Sequence, residues 1–132
     1  MKLQEWISIR MSKYKYKVYV IRLKEDVITG NKKRNEQFRE ANPKYKNGKP
    51  CYYVGYTSKS VKERVEQHRY NLKGKKGVPM GDKKHFVQDY YLWVSKKTFG
   101  NKEFYNTKEE AKKAEKRTAE KLRKRGSAVW SN

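Results

Sequence analysis

A few residues of this 132-residue chain stand where a purely structural domain has little use for them. Arg64 shares a helical face with Val61, Val65 and His68 by three-and-four spacing, which sets a guanidinium beside a core. Glu115 falls inside a second inward stripe made by Ala111, Ala114, Thr118, Ala119 and Leu122. The neighbouring Glu109, Glu110 and Glu120 have ordinary places in the first turn or on the flank. A carboxylate beside a core needs a cation or a metal against it. With Arg64 and His68 on a neighbouring helix, Glu115 suggests a site for a phosphate and a divalent ion. A salt bridge from Glu115 to one of the abundant Lys or Arg residues is the equal alternative. The tyrosines are ambiguous, because eleven in one small chain dilute the weight of each. Tyr19, Tyr52, Tyr53 and Tyr56 cannot be ranked by composition, since strand tyrosines mostly pack. Only two histidines occur, His68 and His85, and a lone helix-face histidine is more often a hydrogen-bonded neighbour of the core than a catalyst.

The elements that must position these groups follow from local patterns. Tyr16–Leu23 is rich in Val, Ile and Tyr and reads as a strand, as does Cys51–Thr57. Gly55 interrupts the second strand, which marks a bulge or a close backbone approach. Between them, Lys24–Pro50 is polar, with Gly30, Asn42-Pro43 and Asn47-Gly48 as turn signals. It reads as an exposed insertion with a short helix near Asn35–Ala41. Ser60 with Glu63 forms a capping box that opens a helix expected to reach Leu72. Thr107 with Glu110 opens another, expected to run to Arg125 and stop at Gly126. His85–Tyr91 suggests a short helix and Leu92–Val94 a third strand, while Ala128–Trp130 closes the chain with apolar residues.

Charge narrows the partner. Thirty-five Lys and Arg against fourteen Asp and Glu leave a net charge of +21 and a pI near 10.0. The excess is dispersed: residues 1–50 carry 14 basic and 5 acidic, 51–100 carry 11 and 4, and 101–132 carry 10 and 5. A basic tail on a neutral domain would not look like this. With 14% aromatic residues the chain should fold as a single domain. A folded domain with positive charge on most faces points to a polyanion, foremost nucleic acid. Anionic membrane surfaces and ribosome association are the plainer alternatives. No apolar run approaches the roughly 20 residues that span a bilayer. The start, MKLQEWISIRMSKYKYK, lacks an apolar secretory core. Cys51 is the single cysteine, which excludes an internal disulfide or a zinc finger. These features lead to the expectation of a cytoplasmic protein.

Lys17-Val18-Tyr19, then Tyr53-Val54-Gly55, then Thr57, Arg64 and His68, and finally Ala111 and Glu115 form an ordered set. In order and spacing it resembles the GIY-YIG nuclease superfamily. The run YYVGYTSKSVKERVEQH is similar to the second motif and the helix after it, and the Val-Trp ending resembles that of small bacterial and phage members. The resemblance covers about residues 16–132. Lys17 replaces the first Gly, both Ile positions are Val18 and Val54, and the Lys24–Pro50 insertion is longer than usual.

The resemblance implies an α+β domain with a small three-stranded antiparallel sheet flanked by helices. It implies hydrolysis of phosphodiester bonds with one divalent metal, usually Mg²⁺ and otherwise an ion such as Mn²⁺. Tyr19 and Tyr53 would be the motif tyrosines, one of them helping to deprotonate water, and Gly55 would let the strand pack closely beside them. Arg64 would stabilise phosphate charge, and His68 would assist proton transfer or hold a tyrosine. Glu115 would be the metal ligand, and Asn132 matches the late Asn. A tyrosine near pKa 10 is a poor base unless cations lower it, and Arg64, the metal and the +21 field all act in that direction. The expected substrate is double-stranded DNA. An RNA-directed nuclease, or a non-catalytic nucleic-acid-binding module of the same fold, are the alternatives. With no attached reader domain in this sequence, weak sequence preference is expected.

Overall fold

The computed structural model describes residues 16–70, 72–73, 78–79, 86–95 and 104–131. Two apolar strands form its centre. β1 (Lys17–Leu23) and β2 (Cys51–Thr57) pair antiparallel in unbroken register, from Lys17 opposite Thr57 to Leu23 opposite Cys51. β5 (Tyr91–Val94) adds antiparallel to the far edge of β1, with a register shift between Arg22 and Leu23. β6 (Ala128–Ser131) adds to β2 in parallel. The sheet is therefore four-stranded and mixed, ordered β5-β1-β2-β6, rather than three-stranded and antiparallel. A two-strand ladder, β3 (Leu72–Lys73) with β4 (Val78–Pro79), stands apart from it.

Helices cover both faces, and this explains why β1 and β2 read as nearly continuous apolar runs. One face carries Tyr19, Ile21, Leu23, Cys51 and Tyr53. It is covered by α1 (Asp26–Thr29), α2 (Lys33–Glu40), α3 (Val61–Arg69) and α4 (Phe86–Tyr90). The opposite face carries Val20, Val54 and Val129, packed against Ala119 and Leu122 of α5 (Lys108–Lys124). Both capping signals operate at the helix starts. Ser60 Oγ accepts from Glu63 N at 3.1 Å, and Thr107 Oγ1 from Glu110 N at 3.1 Å. Gly126, at φ +93, stops α5 in a left-handed turn that disfavours a side chain. The helix after Ser60 ends at Arg69 instead of Leu72, which belongs to β3.

The polar segment between β1 and β2 is not an exposed loop. Val27 and Phe38 are fully buried, and Ile28 nearly so. Asn35, 1% exposed, donates from Nδ2 to the Val27 carbonyl at 2.9 Å and to Tyr90 Oη at 3.0 Å. Asn42, expected as a turn residue, is also buried and anchors the last strand. Its Oδ1 accepts from Val129 N at 2.7 Å and Arg123 Nε at 3.0 Å, while Nδ2 donates to the Val129 and Phe38 carbonyls. One amide thus satisfies both backbone groups of Val129 on the open side of this edge strand. Cys51 is a free, buried thiol, and burial pushes its pKa up to about 11, which keeps it unreactive. Among the described residues no helix is long and apolar enough to cross a membrane.

Candidate active site

β1 and β2 place Tyr19 and Tyr53 on the sheet face that α3 covers. Tyr19 pairs with Gly55 across the strands, and Tyr53 with Ile21. Their rings lie 6.2 Å apart, centroid to centroid, and His68 from α3 completes the group. His68 Nε2 lies 2.9 Å from Tyr19 Oη in a buried hydrogen bond, and its ring meets Tyr53 edge-on at 5.4 Å. Tyr19 is 4% exposed, Tyr53 0% and His68 8%. Of the four tyrosines that composition could not rank, Tyr19 and Tyr53 are thereby separated from Tyr52 and Tyr56, which face α5.

Gly55 serves close approach, not a bulge, because the β1–β2 register is unbroken through it. A Cβ there would lie 2.5 Å from Tyr19 Oη, 2.6 Å from Cζ and 3.1 Å from Cε1. The ring of Tyr19 fills the space of the missing side chain, and its bond to His68 leaves it no easy retreat. Gly55→Ala is expected to destabilise by about 1–3 kcal/mol, the usual cost of overpacking. Urea unfolding should show a lower midpoint at unchanged m. An unchanged midpoint would mean that the ring does not need the gap.

Arg64 and Glu115 both bear on Tyr19. Burial pushes the Tyr19 phenol up to about 12. Arg64 pulls against that by charge and hydrogen bonding, Tyr53 by hydrogen bonding, while the Glu115 charge raises it further. Arg64 acts in the expected, lowering direction, but desolvation outweighs it. Tyr19 is therefore a neutral phenol at physiological pH. Glu115 is 2% exposed, on the face of α5 that also buries Ala111, Ala114, Thr118 and Ala119.

Arg64 also reaches outward. Its Nη1 donates to Gln67 Oε1 at 3.1 Å, and the side chain is half-buried. It lines a cleft of about 360 Å³ with Tyr16, Tyr56, Thr57, Ser58, Lys59 and Lys108. Three cations face one opening, a suitable seat for a phosphodiester. Sequence reasoning missed Lys59 and Lys108, because nothing distinguishes them among thirty-five Lys and Arg. Thr57 keeps a local task, with Oγ1 accepting from Lys59 N at 3.0 Å. Asn132 and His85 lie outside the described residues.

Among the described residues no group of three or more His, Cys, Asp and Glu could hold a metal ion. The groups that bear on Tyr19 include one carboxylate, Glu115, the His68 imidazole and the Tyr53 hydroxyl. A single carboxylate fits Mg²⁺, which keeps several waters and accepts one such ligand. No family model matches the chain, nor does any curated protein or solved structure.

Proposed function

We propose that this protein is a metal-dependent endonuclease of the GIY-YIG type that hydrolyses phosphodiester bonds in DNA. The observation that carries the reading is the position of Arg64. One end of its influence is the buried Tyr19, and its side chain lines a basic cleft open to a polyanion. A binding module needs the cleft but has no use for a buried tyrosine–histidine pair coupled to it.

In this reading a backbone phosphate sits in the cleft against Arg64, Lys59 and Lys108. Charge grows on the phosphoryl oxygens as water attacks phosphorus and the ester P–O bond breaks, the leaving oxygen taking a proton from solvent water, and Arg64 stabilises that charge. Tyr19 is too weak an acid to wait as a phenolate. It serves as a relay, its Oη taking a proton from the attacking water as its own passes to His68 Nε2 across 2.9 Å. Tyr53, with no exposed surface, is a positioning residue that holds Tyr19 and His68. Glu115 would hold the Mg²⁺, which supplies Lewis-acid stabilisation of the phosphoryl group when bound.

Supercoiled plasmid, single-stranded DNA and RNA, each with Mg²⁺ or EDTA, test the reading. Mg²⁺-dependent nicking of plasmid is the expected result. Cleavage of RNA alone would redirect the substrate, and binding without cleavage of any of the three would leave a non-catalytic module. Duplex affinity is expected to fall steeply with salt. Each neutralised phosphate contributes about −0.9 to the log–log slope, so the three cleft cations alone give about −3. A slope near zero would sink the electrostatic basis.

A further inference from the structure

The sheet face opposite Tyr19 and Tyr53 carries a second arrangement that the nuclease reading does not use. Trp93 of β5, Arg22 of β1 and Tyr52 of β2 lie in one cross-strand row, Arg22 being paired with Trp93 on one side and Tyr52 on the other. The Arg22 guanidinium sits 5.5 Å from the Trp93 ring centroid and 5.7 Å from that of Tyr52. Such distances are those of cation–π contact on both sides. No ion pair among the described residues includes Arg22, and its Nε is buried without a hydrogen-bond partner. The two rings, not an acid, hold the cation, so its charge is not neutralised locally. At the far end of the row Val129 pairs with Tyr52, and Arg123 Nη2 donates to the Val129 carbonyl at 2.8 Å, which adds a second cation. Trp93 is 53% exposed, an unusual outlay for the largest aromatic side chain, and Leu92 beside it on β5 is exposed too.

The geometry points to Trp93 as a stacking platform for an unpaired base of single-stranded nucleic acid, on the sheet face opposite Tyr19, Tyr53 and His68. Arg22 fixes the indole from one side, so the ring is ordered before a ligand arrives. Stacking needs only the π-face that every base has, and the +21 charge of the chain supplies attraction for the strand's phosphates. The inference rests on the nucleic-acid part of the reading above and not on cleavage. It gives a single strand a contact that a closed duplex, whose bases already stack on one another, cannot make.

The test is fluorescence anisotropy at fixed salt with a labelled oligo-dT, a labelled duplex and heparin as a polyanion without bases. Trp93→Ala should weaken oligo-dT binding about tenfold or more, with heparin affinity unchanged and the ratio of single-strand to duplex affinity reduced. Trp93→Phe should recover part of the loss, and wild-type tryptophan fluorescence should be quenched by oligo-dT more than that of Trp93→Phe. Equal oligo-dT affinities for wild type and Trp93→Ala would overturn this inference alone. So would equal losses toward all three ligands, or a wild-type dimer dispersed by Trp93→Ala without loss of oligo-dT affinity. Wild-type protein that binds neither oligonucleotide would overturn this inference and the nucleic-acid reading together.

Discussion

Arg64→Ala is expected to cut Mg²⁺-dependent plasmid cleavage by about 10²–10³-fold while leaving the protein folded. The magnitude is that of removing one preorganised donor from a developing oxyanion. Folding should survive because Arg64 is half-buried on α3, and alanine is the best helix former. The same change removes the influence that opposes burial at Tyr19, so the Tyr19 phenol should titrate higher still. Tyr19 relays as a neutral phenol on either side of that change, so the pH dependence of any residual activity should stay that of wild type. Arg64→Lys restores the charge but not the planar two-pronged contact, and full rescue is not expected. Plasmid nicking across a pH series, with circular dichroism on the same preparations, measures all three. A lysine variant that cuts as fast as wild type would falsify the role given to the guanidinium.

Glu115→Gln should abolish cleavage, with a loss of more than about 10³-fold, and should keep or tighten duplex binding. The carboxylate is buried among alanines and a threonine on α5, where a negative charge requires a cation against it. If that cation is Mg²⁺, the amide preserves shape and loses the anionic donor, so the hydrolytic step loses several kcal/mol of Lewis-acid stabilisation. Duplex affinity persists because it comes from many dispersed Lys and Arg, and one negative charge near the phosphate is gone. The neutral amide should also lower the Tyr19 titration, since the Glu115 charge raises it. If Glu115 instead pairs only with a neighbouring Lys or Arg, the variant loses about 3–5 kcal/mol of stability while its folded fraction still cuts. Melting temperature, duplex affinity and cleavage on one preparation separate these outcomes. A well-folded Glu115→Gln protein with undiminished Mg²⁺-dependent cleavage would remove the metal assignment.

Legibility of the candidate site varied residue by residue. Arg64 and Glu115 were visible because helical spacing is local: a charged residue among apolar ones at three-and-four intervals shows its face without any tertiary knowledge. Tyr19 and Tyr53 were visible only through their likeness to a motif, since period-two alternation tells which strand residues share a face but not what covers that face. Lys59 and Lys108 carried no signal at all. Lys59 stands in the turn between β2 and α3, Lys108 comes near Arg64 only because the start of α5 lies over the end of β2, and a lysine in a lysine-rich chain is not marked by its type.

The chain's local chemistry determined where β1, β2, α3 and α5 begin, because strand propensity, hydroxyl caps and a left-handed glycine act within a few residues of themselves. It also determined the charge of +21, and with it the class of partner expected. Three further features depended on the tertiary structure alone. The run Ala128–Trp130 became a parallel fourth strand because β2 had a free edge and Asn42, from a distant polar segment, could satisfy its backbone. That polar segment entered the core because its few apolar residues, Val27, Ile28 and Phe38, found the uncovered face of β1. Tyr19 sits above the ordinary phenol range because burial beneath α3 outweighs the pull of Arg64. Each turns on groups far apart in sequence, and desolvation and edge pairing are set by what surrounds a residue in space, which no local pattern encodes.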